Sequence, residues 1–305
     1  MKKIALITGI SGQDGSYLSE LLLKKSYKVH GFVRPNYKTN SQKHNWRINH
    51  IKKKLILHKV SVNNHFKLKK LIKKINPTEV YHLAAQPFAH LYNGQSFKSD
   101  LHTFNLNFNY THFLISSIFE NNKKTKFFFA GSSEMYRENI TKKISEKTIF
   151  EPRSVYGISK LASHYLIKNY RENYNMNIST GFLFNHESPR KDSNFVLRKI
   201  SKSVARIKNG LQKEIKLGDI KSKRDWGHAK DFARAMWMIC RQKKPNDFIV
   251  GTGKLHSVED FVKLAFKHVN LNYKKYLKID ANFKRKKDSK AKLADINKIK
   301  RVLGW

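Results

Sequence analysis

Cysteine is almost absent from this chain. Its 305 residues include one, Cys240, which excludes an internal disulfide and any zinc site built on cysteine. A chain without a disulfide framework fits a reducing compartment, and the cytoplasm is the expected setting. Long apolar runs are missing too, since none reaches the ~18 residues that a membrane span needs. The opening MKKIALITGISGQDG has two lysines and a short apolar stretch, superficially like a signal peptide. That stretch is too short and runs straight into glycines, so it reads as a first strand. Acidic residues are scarce. Asp and Glu total 22 against 62 Lys and Arg, a formal charge of +40. Such a balance ordinarily points to an anionic partner, meaning nucleic acid, acidic membrane or a phosphorylated ligand. Here the lysines are scattered through LKKLIKKI, ENNKKTK and NFKRKKDSKAK rather than gathered beside one aromatic platform. That favours a lysine-heavy solvated surface, with neither nucleic acid nor membrane expected as partner.

Hydrophobic residues make up 40% of the chain and recur in segments, enough for one large α/β unit or two domains. Short β-rich runs alternate with helical patterns: KIALIT then SYLSELLLKK; KVHGFV; LILHKV then HFKLKKLIKKI; EVYHLAA then TFNLNFNYTHFLISSIF; KFFFAGSS. Helical stretches place apolar residues at three- and four-residue steps, as Leu68, Leu71, Ile72 and Ile75 do. A helix carries VYGISKLASHYLIKNYRENY and the strand ISTGFLF follows. This alternation implies βαβ units and an α/β fold, a doubly wound, Rossmann-like parallel sheet. Beyond Asn185 the rhythm loosens into a smaller mixed α/β lobe. The expected division is a dinucleotide-binding domain over 1–185 and a mainly substrate-binding lobe over 186–305, partly interleaved with the first. Tyr37 to Arg47 is polar and patternless and reads as a long loop.

TGISGQDG places Gly9, Gly12 and Gly15 directly after a strand and before a helix. Glycines there permit a sharp turn and let backbone N–H groups approach a pyrophosphate at the helix N-terminus. An ordinary βα turn is the alternative. The second strand ends in HGFVRPN, with Arg34 and no acid nearby. An acid would suit the ribose 2′-hydroxyl of NAD, whereas an arginine suits the 2′-phosphate of NADP. The bland alternative is one surface arginine among many.

VYGISK sets Tyr156 and Lys160 four apart, on one helix face. A free tyrosine, with a pKa near ~10, is a poor base at neutral pH. A neighbouring ammonium and a positive nicotinamide would favour phenolate and lower that value. Tyr156 could then take a hydroxyl proton as hydride leaves the same carbon. Ser132, at the end of a strand, could hydrogen-bond that oxygen as it becomes a carbonyl. This spacing also arises in helices by chance. Glu134, two residues beyond Ser132, is more than simple alcohol oxidation requires.

The glycine loop, the serine after a central strand and Tyr-x-x-x-Lys together resemble the extended short-chain dehydrogenase/reductase family. Within it, GQDGSYL, SSEMY, EPRSVYGISKL, FNHESPR, FVLRKI and RDWGHAKDFARAMW resemble the GDP-mannose 4,6-dehydratases, nearly end to end. The resemblance implies a hydro-lyase acting on GDP-mannose with NADP, on the route to GDP-fucose, as a homo-oligomer. It implies that Glu134 removes the proton at C5 of the sugar and helps expel the C6 hydroxyl as water. It also implies cofactor contacts from Gln13, Asp14, Leu83, Ala84, Ala85, Gln86 and His186. Lys191 stands where the family usually has an arginine. Substrate contacts are implied at Asn185, Val196, Lys199, Arg224 and Arg285, where helix packing or surface charge is the bland alternative. His186 and Glu187 have no partner ligand at suitable spacing, so no metal is expected.

The chain departs from the family pattern in several places. Ser61 replaces an acid near the adenine edge. Pro87 replaces a substrate-side serine and removes an N–H donor. Arg137 and Tyr110 replace glycines. Arg285 with Asp288 retains part of a late R-P-x-E pattern, and the family continues into further C-terminal helices beyond RVLGW. Two rival readings follow. An extended-family 4-epimerase or 4-reductase would not need a carboxylate at position 134. A basic protein using a retired enzyme fold to bind nucleic acid or acidic polysaccharide would show binding that falls steeply with salt.

Overall fold

The structure, a computed structural model, describes residues 3–36, 46–86, 97–137, 142–283 and 291–305. Tyr37 to Asn45 of the polar loop, Pro87, Arg285 and Asp288 lie outside the described residues.

Seven parallel strands form the central sheet. In chain order they begin with β1 (Ile4–Thr8), β2 (Lys28–Val33), β3 (Ile56–Lys59), β4 (Glu79–His82), β5 (Lys126–Ser132) and β6 (Ile178–Leu183). Two short strands, β7 (Asn185–Glu187) and β8 (Ile215–Leu217), belong elsewhere, as do β9 (Lys223–Arg224) and β10 (Trp226–His228). The seventh sheet strand is β11 (Phe248–Val250), and the order across the sheet is β11-β6-β5-β4-β1-β2-β3. Side chains alternate between the two faces, as the two-residue period of a strand demands. Ala5 and Ile7 of β1 and Phe128 of β5 pack into one core, while Leu6, Phe127 and Phe129 pack into the other. Both faces are covered, which is why these strands read as nearly continuous apolar runs.

Helix α1 (Gln13–Lys24) lies over the first face. Over the second lie α2 (His65–Ile75), α3 (Phe97–Phe104), α4 (Tyr110–Asn121) and α5 (Val155–Tyr174). Helix α2 follows its pattern, burying Leu68, Ile72 and Ile75 behind the Asn64 cap, whose side chain accepts from the Lys67 N–H at 2.9 Å. The apolar run TFNLNFNYTHFLISSIF is not one uniform helix, because Asn105–Asn109 forms a π-helical turn between α3 and α4. Such a turn widens the helix and commonly marks a functional position. Asn107 sits in it, buried, and its side chain bonds outside the helix.

Three later helices complete the chain's main elements, α6 (Val196–Lys208), α7 (Ala229–Cys240) and α8 (Val258–His268). Helix α7 joins α1 on the first face, so both it and β11 extend the sheet layer although they come after Asn185. The smaller core pairs α6 with α8 beneath β8 and a parallel strand at Leu277–Ile279. Asp225 is buried between these layers. Its carboxylate accepts from Thr252 N (2.7 Å), Thr252 Oγ1 (2.6 Å), Gly253 N (2.8 Å) and Ala294 N (3.2 Å). Asp225→Ala strands these donors and is expected to destabilise the fold by on the order of 3 kcal/mol. Urea unfolding at neutral pH measures it.

Candidate active site

The strand order reverses between β1 and β4, and a parallel sheet opens its ligand crevice at the C-terminal ends beside such a switch. The glycine loop follows β1 and Leu83 to Gln86 follow β4, so the two predicted cofactor segments meet there. Gly9 has φ +73, and a Cβ on it would fall 3.0 Å from the Ala84 nitrogen. A side chain is therefore excluded where the two segments touch. Gly12 is the N-cap of α1 with no side-chain cap, and Gly15 lies in its first turn. The loop leaves the helix N-terminus open to backbone recognition of an anion. The sequence reading missed His82. Its Nδ1 pairs with Thr8 Oγ1 at 2.7 Å and its Nε2 with Thr111 Oγ1 at 2.9 Å. Thr8 Oγ1 also accepts from Ala84 N at 3.1 Å. Burial, with Lys160 nearby, holds the His82 imidazole well below its usual pKa, so it ties the two loops together as a neutral ring.

The third wall comes from 186–191. Gln13 Nε2 donates to the His186 carbonyl (3.2 Å) and Ser188 Oγ donates to Gln13 Oε1 (2.8 Å). Lys191 Nζ reaches the same carbonyl at 3.1 Å and Glu187 Oε1 at 3.5 Å. His186 bonds the Phe184 carbonyl through Nδ1 at 2.7 Å and Asp14 through Nε2 at 2.9 Å. Burial raises the Asp14 carboxyl, but His186, Lys191 and Gln13 outweigh it and bring it from 3.8 to about 2. Burial pushes Glu187 up despite Lys191 and His186.

The predicted catalytic residues converge. Ser132 ends β5, and its hydroxyl accepts from the Glu134 N–H at 3.2 Å, capping a short 3-10 turn at Ser133–Met135. Ser154 caps α5 by accepting from Gly157 N at 3.1 Å. A Cβ at Gly157 would lie 2.4 Å from the Glu134 carbonyl oxygen. That close approach brings Tyr156 beside the turn, where it hydrogen-bonds Ser132. Lys160, one helical turn on, is buried and donates to the Ala130 carbonyl at 2.9 Å.

One expectation is corrected. The sequence reading has Lys160, together with a positive nicotinamide, lowering the Tyr156 phenol. Instead burial pushes it up to about 12; the Ser132 hydrogen bond opposes this, and the charges of Glu134 and Asp14 add to it. Lys160 supplies no counterweight because its Nζ lies 5.9 Å from the Tyr156 ring centre and burial lowers it to about 7. Desolvation outweighs proximity for both groups.

Asn107, also missed, is a second brace. Its amide accepts from Gln86 N (2.8 Å) and donates to Ser159 Oγ (3.0 Å), joining the β4 loop to α5. A polar residue in an otherwise apolar helical run was the available signal.

Two substitutions do not obstruct the centre. Arg137 is exposed and pairs with Glu151 at 3.4 Å, and Tyr110 is buried edge-on to His82 with ring centres 5.4 Å apart. Arg34 is exposed just past β2, and Ser61 follows β3. Asn185 lies on β7, exposed, beside Trp226 of β10. Val196 and Lys199 occupy the first turn of α6, with Lys199 Nζ donating to the Lys216 carbonyl at 2.9 Å. Arg224, on β9, donates to the Lys223 carbonyl at 2.8 Å. Among the described residues no His, Cys, Asp and Glu cluster could hold a metal.

A family model described as GDP-mannose 4,6 dehydratase matches residues 6–305. The chain belongs to the GDP-mannose 4,6-dehydratase family. GDP-mannose 4,6 dehydratase 2 of Arabidopsis thaliana is 41% identical over 316 residues, covering 100% of this chain and 82% of that protein. The human GDP-mannose 4,6 dehydratase is 41% identical over 277 residues, 88% of this chain and 73% of its own. The fold also matches UDP-glucose 4-epimerase from Thermotoga maritima, with TM-score 0.84 and 22% identity over 99% of this chain and 93% of that one. The dTDP-glucose 4,6-dehydratase of Bacillus anthracis matches with TM-score 0.83 and 18% identity over 99% and 91%. For this family member, the Asp14–His186 contact bears directly on stability. A carboxyl depressed in the fold stabilises above its unfolded pKa and loses that contribution as pH falls toward the folded value. Asp14→Asn is expected to cost about 2 kcal/mol at neutral pH. The gap from the wild type should narrow as pH drops below about 4, a trend that urea unfolding across pH resolves.

Proposed function

We propose that this protein is an NADP-dependent hydro-lyase that converts GDP-mannose to GDP-4-keto-6-deoxymannose. The observation that carries the reading is the placement of Glu134 beside Tyr156, with the Ser132 hydroxyl bonded to the tyrosine and to the backbone N–H of Glu134. An epimerase or reductase needs the tyrosine and serine but not that carboxylate. A bound nicotinamide would supply the hydride chemistry, oxidation at C4 and reduction at C6. The chain's own groups do the rest. Gly9, Gly12 and Gly15, with Gln13 and Asp14, hold the dinucleotide at the start of α1, and Leu83 to Gln86, His186 and Lys191 close around it. Arg34 takes the 2′-phosphate. Ser132 orients O4, and Tyr156 accepts its proton, with the positive nicotinamide supplying the offset to burial that Lys160, 5.9 Å from the ring centre, does not. Glu134 then takes the C5 proton, made acidic by the neighbouring ketone, and passes it to the departing C6 hydroxyl. Hydride return to C6 is completed by a solvent proton at C5, while Tyr156 releases the O4 proton to solvent. Asn185, Val196, Lys199, Arg224 and Arg285 receive the nucleotide sugar, with the diphosphate suited to guanidinium. In this reading the N-terminal domain is 1–185, and 186–305 mainly binds substrate.

A homo-oligomer is proposed because the sequence from Arg34 to Arg47 resembles the segment through which members of the family reach a neighbouring cofactor site. No described helix is long and apolar enough to cross a membrane, and the cytoplasm is the proposed location. Such a reaction places the chain in nucleotide-sugar metabolism leading to GDP-fucose.

Mass analysis after incubation with GDP-mannose and NADP tests the reaction, since a product lighter by one water is required. Glu134→Gln is expected to slow elimination at least ~100-fold, as loss of a positioned general base does. Wild-type elimination in that variant would favour the epimerase or reductase reading. Arg34→Ala should weaken NADP binding about tenfold through loss of a charge-assisted hydrogen bond. NAD binding should be nearly unchanged, and titration calorimetry with both cofactors checks the contrast.

A further inference from the structure

Lys292 belongs to none of the motifs above. It lies near the C-terminal end, yet its side chain is only 3% exposed and its ammonium lies at the turn carrying Glu134. Nζ donates to the Ser133 carbonyl at 3.1 Å and stands 3.4 Å from Glu134 Oε1. A buried ammonium is costly unless it is paired and hydrogen-bonded, and these two partners come from adjacent residues of one turn.

The segment behind Lys292 is firmly anchored. Ile144 N donates to the Leu293 carbonyl at 2.8 Å and Asp295 N to the Ile144 carbonyl at 2.8 Å. Ala294 is fully buried, and its N–H bonds Asp225. The charge is thus presented from a fixed position. Glu134 is different, with a long, rotor-rich side chain that is 29% exposed. Holding such a chain in one arrangement costs conformational entropy, and the fixed Lys292 ammonium supplies a partner that favours one position. The 3.4 Å separation is an ion pair rather than a short hydrogen bond, so the carboxylate retains acceptor capacity for a substrate proton.

We propose that Lys292 is a positioning residue for the elimination step, holding the Glu134 carboxylate and its backbone turn in one arrangement. This rests on the reading of Glu134 as the C5 base. In the step concerned, the C5–H bond breaks and Glu134 takes the proton. The electron pair forms the C5–C6 double bond as the C6–O bond breaks. The departing hydroxide receives the proton from Glu134 and leaves as water, with no net redox change. Oxidation at C4 precedes this and uses Tyr156 and Ser132, so Lys292 acts on the second stage alone.

The test compares Lys292→Met, Lys292→Gln and Glu134→Gln in the full chain, with NADP and GDP-mannose in heavy water. Methionine approximates the volume without charge; glutamine retains a donor for the Ser133 carbonyl. Four quantities are followed: water loss by mass, absorbance of reduced nicotinamide, deuterium at C5 by NMR, and melting temperature. Both Lys292 variants are expected to eliminate water about 10- to 100-fold more slowly, the scale of a misplaced catalytic group. C4 oxidation should stay near the wild-type rate, so reduced nicotinamide builds up during turnover and deuterium entry at C5 slows. Wild-type elimination in both variants would overturn the proposal. So would an equal slowing of oxidation and elimination, or failure of both variants to fold, either of which would leave Lys292 a purely structural role. Glu134→Gln separates the two levels. If it eliminates water normally, the assignment of the base itself fails; if it does not, while both Lys292 variants behave as wild type, the Lys292 proposal alone fails.

Discussion

The contact between the first turn of α5 and the backbone of Glu134 sets the geometry of the candidate centre. Only a hydrogen fits at position 157, because a methyl carbon would lie 2.4 Å from the Glu134 carbonyl. Helix α5 and the turn after β5 are consequently in van der Waals contact, and Tyr156 reaches the hydroxyl of Ser132. The same hydroxyl accepts from the Glu134 N–H. One serine therefore links Tyr156, proposed to act at C4, with the backbone of Glu134, proposed to act at C5. A larger residue at 157 would push the helix off the turn and separate the two chemistries.

Around that contact the protein spends buried polar groups on bracing. His82 joins the glycine loop, the β4 loop and α4, and Asn107 joins the β4 loop to α5. Asp14 and His186 join the start of α1 to the β7 segment. Each of these side chains has its partners on different elements, which makes the loops at the end of the sheet behave as one unit. Hydrogen bonds buried in this way are costly to leave unmade, so they specify one arrangement. The described lysines are mostly exposed, on loops and strands as well as on helices, and most of the positive charge takes no part in this bracing.

Much of this was legible in the residue order. Period-two and period-3.6 patterns are local, and they gave β1 to β6 and the main helices. The glycine loop, Tyr156 and Lys160 are likewise short-range signals whose spacing carries their meaning. Strand β11 was not read from the sequence, although Pro245, Asn246 and Asp247 precede it and Gly251 follows it, because a run of three buried residues is too short to show a period. The π-helical turn at Asn105–Asn109 was hidden within an apolar run that reads as uniform helix. The Tyr156 phenol was misjudged because spacing reveals a neighbour but not how deeply both groups are buried. Desolvation governs both, and only packing determines it.

Residue order by itself determined the fold class and the family, and it singled out Ser132, Glu134, Tyr156 and Lys160 as candidates, because each follows from local pattern or motif. The tertiary structure alone decided which distant groups face them. Lys292 meets Ser133 from 159 positions away in the chain, and His82, Asn107 and Asp225 acquire their partners in the same long-range manner. No periodicity encodes such contacts. They arise when separate elements close over a common core, where a buried charge or amide must find a partner among whatever the packing brings near.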